Sequence, residues 1–173
     1  MERNTITKEY TIRIATEDES DSIITLLKEV AKWLQHKKVD QWQYLLGEEA
    51  TAEILEGIKE KYTYVVMKEE EIVGTVTASP KQNEWDEHIF GKEEVSNSLY
   101  IHRFAVKRKY KGNGIGEHIL QWIDENMQSD KQYLKLDCVG HNRTLNDFYK
   151  KNGFEYIGSK DGHSKFQKEG GSE

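Results

Sequence analysis

Apolar and polar positions follow two rhythms along this chain, and together they predict an ordered series of strands and helices. Residues 10–15, Tyr-Thr-Ile-Arg-Ile-Ala, alternate as a half-buried strand does. Residues 18–21 then supply N-cap candidates and acidic first-turn residues for a helix. Its buried stripe is Ile23, Leu27, Val30 and Leu34, backed by Ile24, Leu26 and Ala31. A shorter helix is expected over residues 48–58, with Ile54, Leu55 and Ile58 inward, and residues 37–47 join the two. Residues 62–67 and 72–78 are rich in strand formers, and the polar Lys68-Glu69-Glu70-Glu71 between them reads as a hairpin turn. Pro80, the only proline, ends the hairpin and opens a polar stretch to residue 97 that is long for a connection in a compact domain.

The second half is more regular. Residues 99–106, Leu-Tyr-Ile-His-Arg-Phe-Ala-Val, form a strand that runs into a glycine-rich turn. Ile115, Ile119, Trp122, Ile123 and Met127 then recur at helical spacing. Residues 133–138 are a further strand, and a strand-helix-strand order implies a parallel pair joined by a right-handed crossover, hence a mixed sheet. Residues 142–152 form the last helix, with Leu145, Phe148 and Tyr149 on one face and Gly153 as its stop. Segments 154–158 and 164–167 make a closing hairpin, and residues 168–173 are expected to fray. With no repeat and no linker, residues 1–173 read as one domain.

Composition narrows the function classes. The chain has 173 residues, 36% of them hydrophobic and 32% charged, enough for one real core under a well-solvated surface. A net charge of −6 argues against general nucleic-acid binding and favours a cationic partner. The single cysteine, Cys138, excludes an internal disulfide and fits a reducing compartment. No stretch reaches the length of a membrane span and no apolar signal region opens the chain, so a soluble cytoplasmic protein is expected. The histidines show no metal-ligand spacing, and no metal is expected.

The turn itself reads Lys109-Tyr110-Lys111-Gly112-Asn113-Gly114-Ile115-Gly116. Its glycines let the backbone turn tightly and let amide hydrogens approach a ligand, and the helix that follows points its positive dipole end at the loop. Lys107, Arg108, Lys109 and Lys111 add four cations with no acid among them. An anion cradle and an ordinary helix-entry turn with a solvated basic face both stand at this point. A dinucleotide fingerprint needs a third glycine where Ile119 stands, and no Gly-Lys-Ser/Thr of a P-loop follows.

What remains is a basic residue, two residues, Gly, one residue, Gly, and with its flanks this resembles the acyl-CoA signature of the GNAT superfamily of N-acetyltransferases. Lys109 stands where that family has Gln or Arg, which keeps charge but loses the planar fork. Asn142-Arg143-Thr144-Leu145-Asn146-Asp147-Phe148-Tyr149, followed by Asn152-Gly153-Phe154, looks like the family's second signature. Element order is similar over nearly the whole chain. The resemblance implies a GNAT fold of the α/β (α+β) class: a mixed six- to seven-stranded sheet, about four helices, and central parallel strands that splay.

It also implies a reaction, in which an amine attacks the thioester of acetyl-CoA and expels CoA thiolate in a ternary complex. The pantetheine arm would pair with Phe104, Ala105 and Val106, whose strand amides would polarise the thioester oxygen. The pyrophosphate would lie on Lys109, Lys111, Gly112, Asn113, Gly114, Ile115 and Gly116, with Asn142 and Tyr149 completing the donor site. Tyr149 is the candidate general acid toward the departing thiolate. It could equally be a core aromatic, and Asn142 an N-cap. His102, two residues before Phe104 and on its face by strand alternation, looks like a histidine that some family members use as base; a hydrogen-bonded strand histidine is the other reading. His141 is a weaker candidate, and His36, His88, His118 and His163 look peripheral. Cys138 has no evident His or Asn partner, so direct transfer is expected over a covalent acetyl-enzyme.

The acceptor is expected to be a primary amine, a small cationic metabolite. The stretch 80–97 holds Glu84, Asp86, Glu87, Glu93 and Glu94 beside Trp85, His88 and Phe90, a composition that suits a cation. Trp33, Trp42, Tyr44 and Trp85 are acceptor-pocket candidates, although such aromatics also fill cores. Peptide or protein N-acetylation and a non-catalytic acyl-CoA-binding regulatory module are the alternatives. A homodimer stays open.

Overall fold

The computed structural model of the protein describes residues 5–37, 47–94, 97–126 and 131–170. Seven strands form one mixed sheet: β1 (Thr11–Ile14), β2 (Thr63–Lys68), β3 (Glu71–Ser79), β4 (Ser98–Val106), β5 (Tyr133–Val139), β6 (Glu155–Lys160) and β7 (His163–Glu169). Their order is β1-β2-β3-β4-β5-β7-β6. Among the described residues five α-helices join them: α1 (Ser20–His36), α2 (Glu48–Lys59), α3 (Glu84–Phe90), α4 (Ile115–Asn126) and α5 (Arg143–Lys151). The expected α/β class and mixed sheet therefore hold, with one helix more than anticipated. Among the described residues no helix is long and apolar enough to cross a membrane.

Two compact units make up the chain, one of Met1–Ala78 with Arg103–Trp122, the other of Ser79–His102 with Ile123–Glu173. In the first, β1, β2 and β3 pair antiparallel, Ile12 opposite Val66 and Val65 opposite Thr75. Ile23, Leu26, Leu27 and Ala31 of α1 and Ala50, Ile54 and Ile58 of α2 pack with Val65 and Ala105 in its core. Of the expected α1 stripe Ile23 and Leu27 are in this core, Val30 lies at its margin with Ile24, and Leu34 is half-buried and outside it; Leu26 and Ala31, expected as backing, are core residues instead. Its entry differs: the chain arrives through a 3-10 turn, Glu17–Glu19, after the cap residue Thr16. The Thr16 amide donates to Glu19 Oε1 at 2.9 Å, and Arg13 Nη2 pairs with Glu19 Oε2 at 2.6 Å. Leu55, expected inward, is 42% exposed, because Ala50, Ile54, Gly57 and Ile58 already define the buried face.

In the second unit β4 and β5 run parallel from Ser98 opposite Tyr133 to Tyr100 opposite Lys135. Among the described residues that ladder ends there while both strands run on. β5 is covered on its other edge by β7, antiparallel from Tyr133 opposite Glu169 to Val139 opposite His163, and β6 closes the sheet. Lys168 and Glu169 thus belong to a paired strand, where fraying was expected. Asn142 does cap α5, accepting the Leu145 amide at 3.1 Å, and Gly153 follows the helix at φ 89°. The buried α5 positions are Asn146 and Tyr149, whereas Leu145 and Phe148 are half-buried. Asn146 donates to the carbonyls of Asn142 at 2.8 Å and Val139 at 3.2 Å, which ties the helix start to the end of β5.

The polar stretch 80–97 is where the sequence reading falls furthest short. It contains α3, started by a reciprocal cap: the Asp86 amide donates to Asn83 Oδ1 at 2.8 Å and the Asn83 amide to Asp86 Oδ2 at 3.1 Å. Only Asp86 and Ile89 of this helix are buried, so no apolar period announces it.

Candidate functional site

In the first unit the glycine loop leaves β4 through a 3-10 turn, Arg108–Tyr110, and enters α4. Gly112 and Gly114 sit at φ 93° and 74°, in the left-handed region where a side chain is strained, so the glycines are needed for the path of the turn. A Cβ on Gly112 would meet nothing within 4 Å. Among the described residues no acceptor takes the amide hydrogens of Gly112 or Gly114. The carbonyl of Gly114 is held by the α4 amide of His118 and lies 2.7 Å from His118 Nδ1. Two unengaged amides beside a helix N-terminus are a fit for a phosphate.

The cations around this loop are not equivalent. Glu71 at the start of β3 lies 3.1 Å from both Lys107 Nζ and Lys109 Nζ, and it accepts the Tyr110 hydroxyl at 2.7 Å. Tyr110, then Lys109 and Lys107, hold the Glu71 carboxyl down at about 2, so it stays ionised. The absence of an acid among these lysines in sequence is therefore made up in space. Arg108 and Lys111 face elsewhere: Arg108 Cζ lies 4.2 Å and Lys111 Nζ 4.7 Å from the ring centroid of Trp33. Trp33 Nε1 is buried with no acceptor among the described residues. This indole, an acceptor-pocket candidate, is thus placed against the basic loop.

Phe104, Ala105 and Val106 lead into the loop, with Ala105 buried. Gly74 brings β3 close behind them, since a Cβ there would lie 3.1 Å from the Ala105 carbonyl oxygen. Arg103 just before them has φ 48°, which breaks the strand pleat. Alternation therefore no longer places His102 and Phe104 on one face, as was expected from sequence. The Arg103 guanidinium is buried and sits 3.9 Å from Glu53 Oε2.

The second unit holds the other candidates. His102 Nε2 lies 3.0 Å from Asp86 Oδ2, the side chains being 13% and 1% exposed. Asp86 is a partner that sequence reasoning missed. It lies sixteen residues away on another element, and the Asn83–Asp86 spacing of a cap was the only signal for its orientation. Tyr149 is buried, its ring 5.8 Å from Phe154 and 5.7 Å from Phe166. Burial, with Cys138 and Asp137 nearby, pushes its hydroxyl well above the ordinary phenol range, so it keeps its proton. Cys138 beside it is buried and its thiol is pushed up to about 12, chiefly by burial, which leaves it neutral and unreactive.

Trp85 Nε1 donates to both Asp137 oxygens, at 3.2 and 3.1 Å, and His163 Nδ1 lies 3.0 Å from Asp137 Oδ2. His88, on the same helix as Trp85, pairs with Asp161. Two of the acids counted as an attractive flap are engaged internally: Asp86 with His102, and Glu93 with Tyr100 and Lys135. Trp42 and Tyr44 lie outside the described residues.

The acetyltransferase (GNAT) domain matches residues 59–156. The uncharacterised N-acetyltransferase YesJ of Bacillus subtilis is 32% identical over 171 residues, covering 98% of this chain and 95% of that protein. A GNAT-family acetyltransferase from Listeria monocytogenes superposes with a TM-score of 0.81 at 23% identity, covering 92% of this chain and 94% of that one. The PaiA N-acetyltransferase of Thermoplasma acidophilum, solved in complex with coenzyme A, superposes with a TM-score of 0.74 at 16% identity, covering 92% and 98%.

Proposed function

This chain belongs to the GNAT acetyltransferases, and on that premise we propose that it moves an acetyl group from acetyl-CoA to a small cationic primary amine by direct attack. The observation that carries the donor assignment is the pair of glycines at φ 93° and 74°, whose amides are unengaged at the start of α4. They suit a pyrophosphate, and the Thermoplasma acidophilum N-acetyltransferase of the same fold was solved in complex with coenzyme A. Phe104, Ala105 and Val106 would line up the pantetheine arm, and strand amides would polarise the thioester oxygen.

In the chemical step the amine nitrogen forms a bond to the acetyl carbon and the carbon–sulfur bond breaks. His102 takes the proton that the amine sheds. Tyr149, whose phenol is harder to ionise than a free one, stabilises the departing thiolate as a hydrogen-bond donor rather than by surrendering its proton. Because the Cys138 thiol is held neutral, a covalent acetyl-cysteine has no support, and acceptor and donor meet directly.

A cationic acceptor is favoured by the net charge of −6 and by Glu84 and Glu94, which remain exposed on the segment around α3. Trp85 is 40% exposed there and offers an aromatic face. A lone buried cysteine and the absence of any disulfide among the described residues fit a cytoplasmic setting. The test is acceptor-dependent thiol release from acetyl-CoA over a panel of mono- and polyamines, amino acids and peptides. Turnover with cationic small amines is expected. Release with peptides alone would replace the small-molecule reading, and tight CoA binding without release for any acceptor would sink transfer itself.

A further inference from the structure

We propose that Asp86 is the positioning residue for His102, fixing the imidazole with its proton on Nε2 and leaving Nδ1 as the basic nitrogen. The assignment rests on the reading above only in taking His102 as the base.

Geometry makes the case. His102 Nε2 is 3.0 Å from Asp86 Oδ2, and the carboxylate is 1% exposed. An ionised carboxylate only accepts hydrogen bonds, so the ring nitrogen facing it must be the one that carries hydrogen. In neutral histidine the other nitrogen is then the acceptor. The carboxylate has little freedom to turn away. The same Oδ2 accepts the Asn83 amide at 3.1 Å, and the Asp86 backbone amide returns a bond to Asn83 Oδ1 at 2.8 Å. The start of α3 is thereby built around the atom that holds the imidazole. Capping alone does not require burial, since an exposed carboxylate caps as well, and a carboxylate withdrawn from water needs donors. The His102 N–H is the donor that burial calls for.

One consequence follows for the reaction. The imidazole is held in one tautomer and one orientation, as a carboxylate does for a histidine base in hydrolases. Most other ionisable groups on α3, β4 and β5 that the structure describes are committed to partners or lie at the surface. On β4 the Tyr100 hydroxyl donates to Glu93 Oε1 at 2.8 Å, and its titration is pushed far up, chiefly by burial. On β5 Lys135 pairs with the same Glu93 oxygen at 2.7 Å. On α3 His88 pairs with Asp161, and Glu84 is exposed while Glu87 is half-buried. Arg103, next on β4, pairs with Glu53.

Long-range proton–nitrogen spectra of the imidazoles in the full-length protein test the tautomer directly. In the neutral imidazole of the unaltered protein, a protonated Nε2 and a bare Nδ1 are expected; a protonated Nδ1 would overturn the proposal without any variant. Asp86→Asn should erase that bias, lower kcat by about 10- to 100-fold, and leave the KM for acetyl-CoA in place. In a His102→Ala background Asp86→Asn should have no further effect on kcat. An equal loss in both backgrounds would mean that Asp86 only shapes the fold, and the proposal would fall. An unchanged rate for His102→Ala itself would remove the base assignment, and the spectra separate that failure from failure of the Asp86–His102 pair.

Discussion

Replacing Gly114 by Asp and by Asn separates shape from charge at the proposed phosphate loop. Both residues tolerate the left-handed conformation better than other side chains, and Gly114 sits at φ 74°. A Cβ there meets only His118, at 3.6 and 3.7 Å, ordinary contact distances, so neither variant is sterically excluded. The backbone cost should be about 1 kcal/mol for each, which lowers Tm by about 2–4 °C in a chain of this length. Only the aspartate adds a charge. At about 5 Å from a phosphate, with an effective dielectric near 20, the repulsion is about 3 kcal/mol, or about 150-fold in affinity. Isothermal titration with CoA, alongside thermal unfolding, reads both quantities. Gly114→Asn should bind CoA within about tenfold of the unaltered protein, and Gly114→Asp should lose more than a further hundredfold. Equal CoA affinity for the two variants would show that no phosphate lies at this loop.

Tyr149→Phe keeps the ring packed edge-on to Phe154 and tilted against Phe166, so stability and CoA affinity should hardly change while kcat falls about 100-fold; an unchanged kcat removes the hydroxyl from the chemistry. Cys138 should resist a thiol reagent at pH 8 in the native protein and react fully once unfolded, because burial holds its thiol up at about 12; rapid native labelling would contradict that burial. Glu71 is held down at about 2 by Tyr110, Lys109 and Lys107, below its unperturbed 4.5. A depressed carboxylate contributes stability that is full above about 4.5 and is lost as pH falls through about 2. Unfolding midpoints measured across that window should therefore drop less steeply for Glu71→Gln than for the unaltered protein, and parallel curves would exclude this linkage.

The path from β4 through the glycine loop into α4 was legible because its signals are local. A strand period gives way to glycines and then to a helical period within twenty residues, and each step has a backbone reason. Asn142 and Gly153 were legible for the same reason, as a cap and a stop at the two ends of α5. α3 was not, because a seven-residue helix that buries only Asp86 and Ile89 has no apolar stripe to read. Leu55 was assigned inward on hydrophobicity alone, whereas the face of α2 is set by Ala50, Ile54, Gly57 and Ile58. Asn146 has no signal of its own in the sequence, because its value lies in three backbone carbonyls that only the fold brings to it.

Site chemistry divides along the same line. Residue types could nominate His102, but its partner is supplied by a separate element, and the left-handed Arg103 cancels the alternation that placed it beside Phe104. The basic loop shows the same effect in its electrostatics. Sequence counts four cations around three glycines, yet Glu71 takes Lys107 and Lys109, and Arg108 and Lys111 lie over Trp33. Lys109 is the position at which the acyl-CoA signature departs from its usual Gln or Arg, and a fully ionised carboxylate faces it. At the proposed donor site a phosphate would have to compete with Glu71 for that lysine, while the amides of Gly112 and Gly114 have no competitor among the described residues. In the proposed donor site the backbone would therefore carry more of the attraction than the lysine.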